Sequence, residues 1–189
     1  MAKHCKVVQS GQGADELFAG YHWYPLVDGA DDAYSAYRKA FFDREHDEYA
    51  ACVQPAWLTD DVSGEFVRQH FAQPGASAAV DKALRLDSTV MLVDDPVKRV
   101  DNMTMAWGLE ARTPFLDYRV AELSARIPGQ FKLPEGGKYV LKEAARKVIP
   151  SEVIDRKKGY FPVPGLKHLE GATLGWAVSY THLTLPTKA

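Results

Sequence analysis

The stretch that most constrains this chain is residues 6–21, "KVVQSGQGADELFAGY". Its first four residues are a short β-branched run that ends at a glycine turn, and they read as a strand. The "SGQG" that follows opens onto "ADELFAGYHWY", which reads as a helix entered from a strand-to-loop crossing. Strand, glycine loop and helix in succession make one step of a parallel α/β sheet. One step is not a sheet. Either the chain is all-α and the strand is false, or its other strands lie upstream of Met1.

The rest of the chain reads as helix. Residues 30–53 are polar, with aromatic positions three to four apart, and Gly29 and Pro55 bracket them. "TDDVSGEFVRQHFA" has acids at its start and Val62, Phe66 and Phe71 on its apolar side, with Thr59 or Asp60 as the expected cap. "SAAVDKALRLDSTVMLVDD" is amphipathic, with Val80, Ala83, Leu84, Val90 and Met91 facing inward. Pro96 is expected to restart the chain. Thr113 and Pro114 look like a cap and first turn for a helix through Leu116, Val120, Leu123 and Ile127. In "GGKYVLKEAARKVIP", Leu141, Ala144, Ala145 and Val148 lie on one face, and Lys138, Lys142 and Arg146 on the other.

The bulk numbers narrow the class. A chain of 189 residues with 46% hydrophobic composition suits one globular domain. Its net charge of −2 lacks the basic excess of a nucleic-acid binder. No apolar run reaches bilayer length, and no signal-peptide core opens the chain, so a cytoplasmic protein without a membrane partner is expected. Cys5 and Cys52 are two cysteines at no metal-like spacing, and read as packing residues of a reducing compartment.

Three segments carry chemistry. In residues 10–21, Gly11 and Gly13 let backbone approach a ligand, and the next helix start presents free N–H groups that suit phosphate. Asp15 and Glu16 would repel a bare phosphate; like charges about 4 Å apart cost about 4 kcal/mol at an effective dielectric of 20. A magnesium ion held by one or two carboxylates and by phosphate oxygens reverses that sign. The alternative is that both acids only favour the helix dipole. In residues 94–117, charged side chains mix with Met103, Met105, Trp107 and Phe115. There Arg112 is expected in a buried ion pair with Glu110 or Asp117, and Arg99 has the better claim to phosphate. Residues 132–158 hold eight basic and four acidic residues, a balance of 8 − 4 = +4. Most of these read as solvated surface. Lys158, beside Gly159, is placed to neutralise charge on a transferred phosphoryl group.

Taken in order, "SGQGADELFAGY", "DNMTMAWGLEARTPFLD", "GGKYVLKEAARKVIP" and "DRKKGYFPVP" resemble the asparagine synthetase (glutamine-hydrolysing) family. "DDPVKRVDNMTMAWGLEAR" with "KGYFPVP" looks most like the subgroup that amidates N-acetylglutaminylglutamine. The resemblance implies an α/β fold, an adenine-nucleotide α-hydrolase-like ATP-pyrophosphatase domain with a parallel sheet between helices. This chain would be a mostly helical C-terminal fragment of it. The implied reaction uses ATP and Mg2+. A substrate carboxylate, aspartate or the capped dipeptide, attacks the α-phosphate to give an acyl-adenylate and pyrophosphate. Ammonia, made from glutamine by an upstream glutaminase domain, then displaces AMP. A homodimer is compatible with the resemblance.

Residue by residue, the resemblance carries Asp15 to magnesium and pyrophosphate, Arg99 to a phosphate contact and Lys158 to adenylation. Ser10, Gly11 and Gly13 line the same wall. Glu16 caps and pairs. Gln12 stands where many members have a glutamate proposed to take a proton, which an amide does not do at neutral pH. It therefore either positions the intermediate or leaves the base to another group. The family's serine-glycine-glycine nucleotide loop and its cysteine nucleophile are absent from the chain, and both are expected upstream of Met1.

Residues 1–176 thus read as the C-terminal part of a synthetase-like domain, inactive and aggregation-prone alone. Residues 178–189, "VSYTHLTLPTKA", match the translation of GTC TCT TAT ACA CAT CTG ACG CTG CCG ACG plus two codons. That string resembles a transposon-end sequencing adapter, so residues 177–189 read as translated adapter, and His182 receives no role. An ordinary polar tail is the alternative. The rival functional readings are an inactive helical fragment with a structural or interaction role, and a lactam-forming relative.

Overall fold

The structure, a computed structural model, describes residues 1–157. Residues 1–150 form one compact unit. Of the second unit residues 151–157 are described, and they begin with the helix α10, Ser151–Ile154. Lys158 and the tail lie outside the described residues.

The chain opens with strand β1, Val7–Gln9, and short helices α1, Ala14–Phe18, and α2, Tyr24–Val27. Helices α3, Ala33–Phe41, α4, His46–Cys52, and α5, Val62–Ala72, follow. A long helical run then contains α6, Ala79–Leu86, and α7, Lys98–Met105. Strand β2, Glu110–Arg112, and helices α8, Tyr118–Arg126, and α9, Tyr139–Ala145, complete the first unit.

β1 is a strand, and it is not alone. It pairs in parallel with β2, with Val7 opposite Glu110 and Gln9 opposite Arg112. The second strand is only three residues long and shows no β-branched run, which is why the sequence hides it. Parallel pairing needs a long crossover, and here α1 to α7 supply it.

The core lies among α2, α3, α5 and α6. Tyr24, Val27, Tyr37, Phe71, Val80 and Ala83 are buried together. The amphipathic reading of α6 holds: Val80, Ala83 and Leu84 face this core. On α5, Val67 and Phe71 are buried, whereas Val62 and Phe66 are exposed. Its cap is neither Thr59 nor Asp60 but Asp61, whose Oδ1 accepts from the Gly64 amide at 2.9 Å. Asp61 also holds Arg38 at 2.6 Å.

Pro96 does not restart the chain. Helical geometry continues from α6 through two wide π-type turns, Asp87–Met91 and Val93–Val97, into α7. A proline has no N–H to offer the ladder and crowds the preceding turn, and a wide turn relieves both. Ser88 and Thr89 hydroxyls bond back to the Arg85 carbonyl, at 3.2 and 2.6 Å, where the widening begins.

Other expectations need correction. Met103, Met105 and Trp107 are exposed rather than packed. On α8, Ser124 is buried and Leu123 is exposed, so the helix face is rotated from the expected one. Val148 lies beyond the end of α9 and is 83% exposed. Cys52 is exposed, and both cysteines are free.

Candidate active site

The glycine loop leaves β1 still in register: the Ser10 amide donates to the Arg112 carbonyl at 2.8 Å. The loop and the β2 segment are therefore neighbours. Gly13 shows why a glycine is required. Its φ is +93°, and a Cβ there would lie 2.2 Å from Leu116 Cδ2. Gly11, in contrast, is exposed and faces open space. One glycine permits packing against the β2 side, and the other leaves backbone uncovered.

α1 is five residues long and carries Asp15 and Glu16 in its first turn. The two carboxylates take separate paths. Glu16 is 1% exposed, and its Oε1 accepts from the Tyr21 hydroxyl at 2.6 Å. Burial, and then that hydrogen bond, push the Tyr21 hydroxyl well above the usual tyrosine range. Tyr21 stacks on Trp23 with ring centroids 4.2 Å apart. Trp23 Nε1 in turn donates to Asp87 at 3.0 Å.

Asp15 turns the other way and meets Lys138, whose Nζ donates to its Oδ1 at 2.6 Å. Lys138 is not on the solvated face predicted for it. It sits at the cap of α9 with φ +59°, and its amide donates to the Phe18 carbonyl at 2.8 Å. Gly137, at φ +94°, lies so close to α1 that a Cβ would be 1.9 Å from the Ala19 oxygen. Gly20 packs under the Asp15 carboxylate in the same manner, with a Cβ position 1.9 Å from Oδ1. The "GGK" segment is thus a clamp on the end of α1. Two glycines before a lysine were visible in the sequence. That they serve α1, more than a hundred residues earlier, was not.

The buried ion pair expected at Arg112 is instead exposed. Arg112 Nε donates to Glu110 at 2.9 Å, with side chains 64% and 58% exposed. Residues two apart on a strand share one face, and here that face is the open one. Asp117 pairs with Arg119 and caps α8; those hydrogen bonds hold its carboxyl down at about 2. Arg99 pairs with Asp95 one turn back at 2.7 Å, on the exposed side of the helix. No hydrogen bond or ion pair joins Arg99 to the glycine loop among the described residues. The structure therefore brings Ser10, Gly11, Gln12, Gly13 and Asp15 together beside the β2 segment and adds Lys138. Lys158 lies outside the described residues.

Among the described residues there is no cluster of three or more His, Cys, Asp or Glu side chains fit to hold a metal alone. Magnesium does not require one, because one or two carboxylates with phosphate oxygens suffice. Asp15 is a hard-oxygen side chain in the first turn of α1, and Lys138 stands on its Oδ1. No described helix is long and apolar enough to cross a membrane.

The profile of the asparagine synthase family matches residues 1–181. The chain is 29% identical to glutamine-hydrolysing asparagine synthetase 1 of Bacillus subtilis (strain 168), covering 86% of this chain and 31% of the relative. Asparagine synthetase 3 of that organism, also glutamine-hydrolysing, is 27% identical over 81% of this chain and 26% of its own length. The glutamine-hydrolysing asparagine synthetase of Homo sapiens is 33% identical over 54% of this chain and 18% of its own. The chain spans less than a third of the length of each of these relatives. No solved structure matches it. With the profile covering nearly the whole chain and the "SGQGADE" and "LEARTPFLD" segments joined in one site, the chain belongs to the asparagine synthase family.

Proposed function

We propose that this chain is part of a glutamine-dependent ligase that amidates a small-molecule carboxylate at the expense of ATP. The observation that carries the reading is the pairing of β1 with β2, which sets the glycine loop and Asp15 against the "LEARTPFLD" segment. In this reading the chain forms one wall of a doubly wound ATP-pyrophosphatase site of the adenine-nucleotide α-hydrolase type. The other wall, with the nucleotide loop, and the glutaminase domain belong to the rest of the enzyme.

The roles follow from chemistry. The Ser10–Gly11–Gln12–Gly13 backbone meets the leaving pyrophosphate. Asp15 would hold magnesium, which would supply charge neutralisation on the phosphate oxygens. Lys138 fixes the position of the Asp15 carboxylate through its Oδ1. Arg99 is held only by an exposed ion pair, worth about 0–1 kcal/mol, so it exchanges Asp95 for a phosphate at small cost. Lys158 places its charge where it develops as the carboxylate oxygen bonds to the α-phosphorus and the bond to pyrophosphate breaks. Ammonia then attacks the acyl carbon of the adenylate, and AMP leaves. Gln12 positions that intermediate and takes no proton. The acceptor is aspartate or N-acetylglutaminylglutamine; turnover of the full-length enzyme with each decides between them.

In the full-length enzyme, Lys158→Ala is expected to slow pyrophosphate exchange by about 10²-fold or more. Exchange at the wild-type rate would remove Lys158 from the site. Asp15→Asn is expected to raise the magnesium concentration needed for half-maximal exchange. Lys138→Met breaks the same ion pair but keeps the carboxylate, so it separates loss of a metal ligand from loss of clamping. An equal shift in both variants would make Asp15 structural.

A further inference from the structure

A cavity of about 540 Å³ lies beside α1. Its walls come from α1, residues 75–77, α6 with its π-type continuation, and α8, and Lys132 lines it as well. Most of the wall is apolar: Leu17, Leu84, Leu92, Leu116 and Ala121 face it. The volume is that of a small-ligand site, which typically spans about 300–1,000 Å³.

One cationic side chain lining this cavity has no hydrogen-bond acceptor among the described residues. Lys132 is 3% exposed, yet its ammonium makes no hydrogen bond or ion pair there. Asp81 acts on it electrostatically without forming an ion pair. Arg85 spends its Nη atoms on the carbonyls of Pro74, His70 and Gln73. Its Nε is buried and unpartnered. A buried ammonium without an acceptor is costly, and a buried donor left open costs further. Burial accordingly pulls the Lys132 ammonium below its usual range and pushes Asp81 above its own. None of the residues assigned to the nucleotide wall, Ser10 to Gly13, Asp15, Arg99 or Lys158, lines this cavity with Lys132.

We propose that the cavity is a binding site for a small organic monocarboxylate. A carboxylate oxygen accepts from Lys132 Nζ, and the hydrocarbon body lies on the leucine walls. A dianion such as phosphate is disfavoured, because Glu16, Asp81 and Glu122 also line the space. A neutral molecule of the same shape can accept a hydrogen bond from the ammonium but brings no counter-charge, so it binds more weakly.

Hexanoate is a suitable probe, tested on the 189-residue chain by calorimetric titration and thermal unfolding. Hexanoate is expected to bind and to raise the melting temperature, hexanol to bind more weakly, and phosphate to do neither. Lys132→Met should weaken hexanoate binding about tenfold or more, the usual worth of a hydrogen bond to a charged group. The same substitution should raise the melting temperature of the ligand-free chain, since it removes an uncompensated buried charge. Ala121→Phe fills the space with the ammonium intact and should abolish binding. Absence of hexanoate binding to the wild-type chain would overturn the proposal. So would equal binding of hexanol, preference for phosphate, or unchanged affinity in Lys132→Met.

Discussion

Asp87→Ala is expected to destabilise the chain by about 3–5 kcal/mol, enough to unfold a marginal domain. Asp87 is fully buried at the first wide turn after α6. No cation faces it. Its carboxylate accepts instead from three neutral donors: Trp23 Nε1 at 3.0 Å, the Tyr24 hydroxyl at 2.7 Å, and the Tyr37 hydroxyl. These rings come from α2, its N-terminal flank and α3, so one carboxylate ties three elements to the long helical run. Alanine leaves all three donors buried and unpaired. A denaturant-midpoint shift below about 1 kcal/mol would show that water or a rotamer change replaces the carboxylate.

The same group makes a pH prediction. Burial holds the Asp87 carboxyl above its ordinary range, against the downward pull of the hydrogen bonds from Tyr37, Tyr24 and Trp23; Glu16 adds a smaller upward push. The folded state therefore keeps its proton to higher pH than the unfolded chain does. The contribution of Asp87 is fully present below the ordinary carboxyl range, near pH 4, and is lost as pH rises through the raised value. Asp87→Asn removes this titration. Its stability relative to the wild type should rise with pH across that window, read from denaturant curves at several pH values. A constant difference would mean that the carboxyl titrates at its unfolded value.

Gly137→Ala carries the second large expected effect, about 3 kcal/mol or more. The methyl would stand 1.9 Å from the Ala19 carbonyl oxygen and 3.2 Å from Gly20 Cα, both backbone. The φ of +94° with ψ 168° adds strain that only glycine escapes. Relief requires moving residues 136–138 off α1, which withdraws Lys138 from Asp15. In the full-length enzyme this variant should therefore also alter magnesium dependence. Gly136 is the internal control. It has φ +77° but open space around it, so Gly136→Ala should cost only about 1 kcal/mol. Equal losses at both positions would show that strain alone, not the close approach to α1, sets the requirement.

The difference between these two glycines marks the limit of what the chain discloses as a string. "GGK" announces a turn, and nothing local says which glycine touches another element. The same holds for Lys132 and Lys138. Both read as surface charge because a lysine usually is. One is enclosed by α6 and α8 and the other is taken up by Asp15. Asp87 sits in an amphipathic pattern whose other members were placed correctly, and its burial depends on aromatic residues fifty to sixty-four positions away.

What the sequence determined by itself rests on short-range physics. Glycine tolerance of positive φ, a β-branched run and apolar positions at helical spacing identified β1, the glycine loop, the inward face of α6 and the helical character of residues 30–53, which the fold divides into α3 and α4. The four ordered motifs were enough for the family. What only the tertiary structure decided depends on contacts between distant segments. A three-residue strand such as β2 is stable because β1 lies beside it, and Pro96 stays helical because wide turns make room for it. The separation of Asp15 toward Lys138 from Glu16 toward Tyr21 likewise belongs to the partners. Two adjacent carboxylates look equivalent in one dimension. They acquire different chemistry only when the fold gives each a different neighbour.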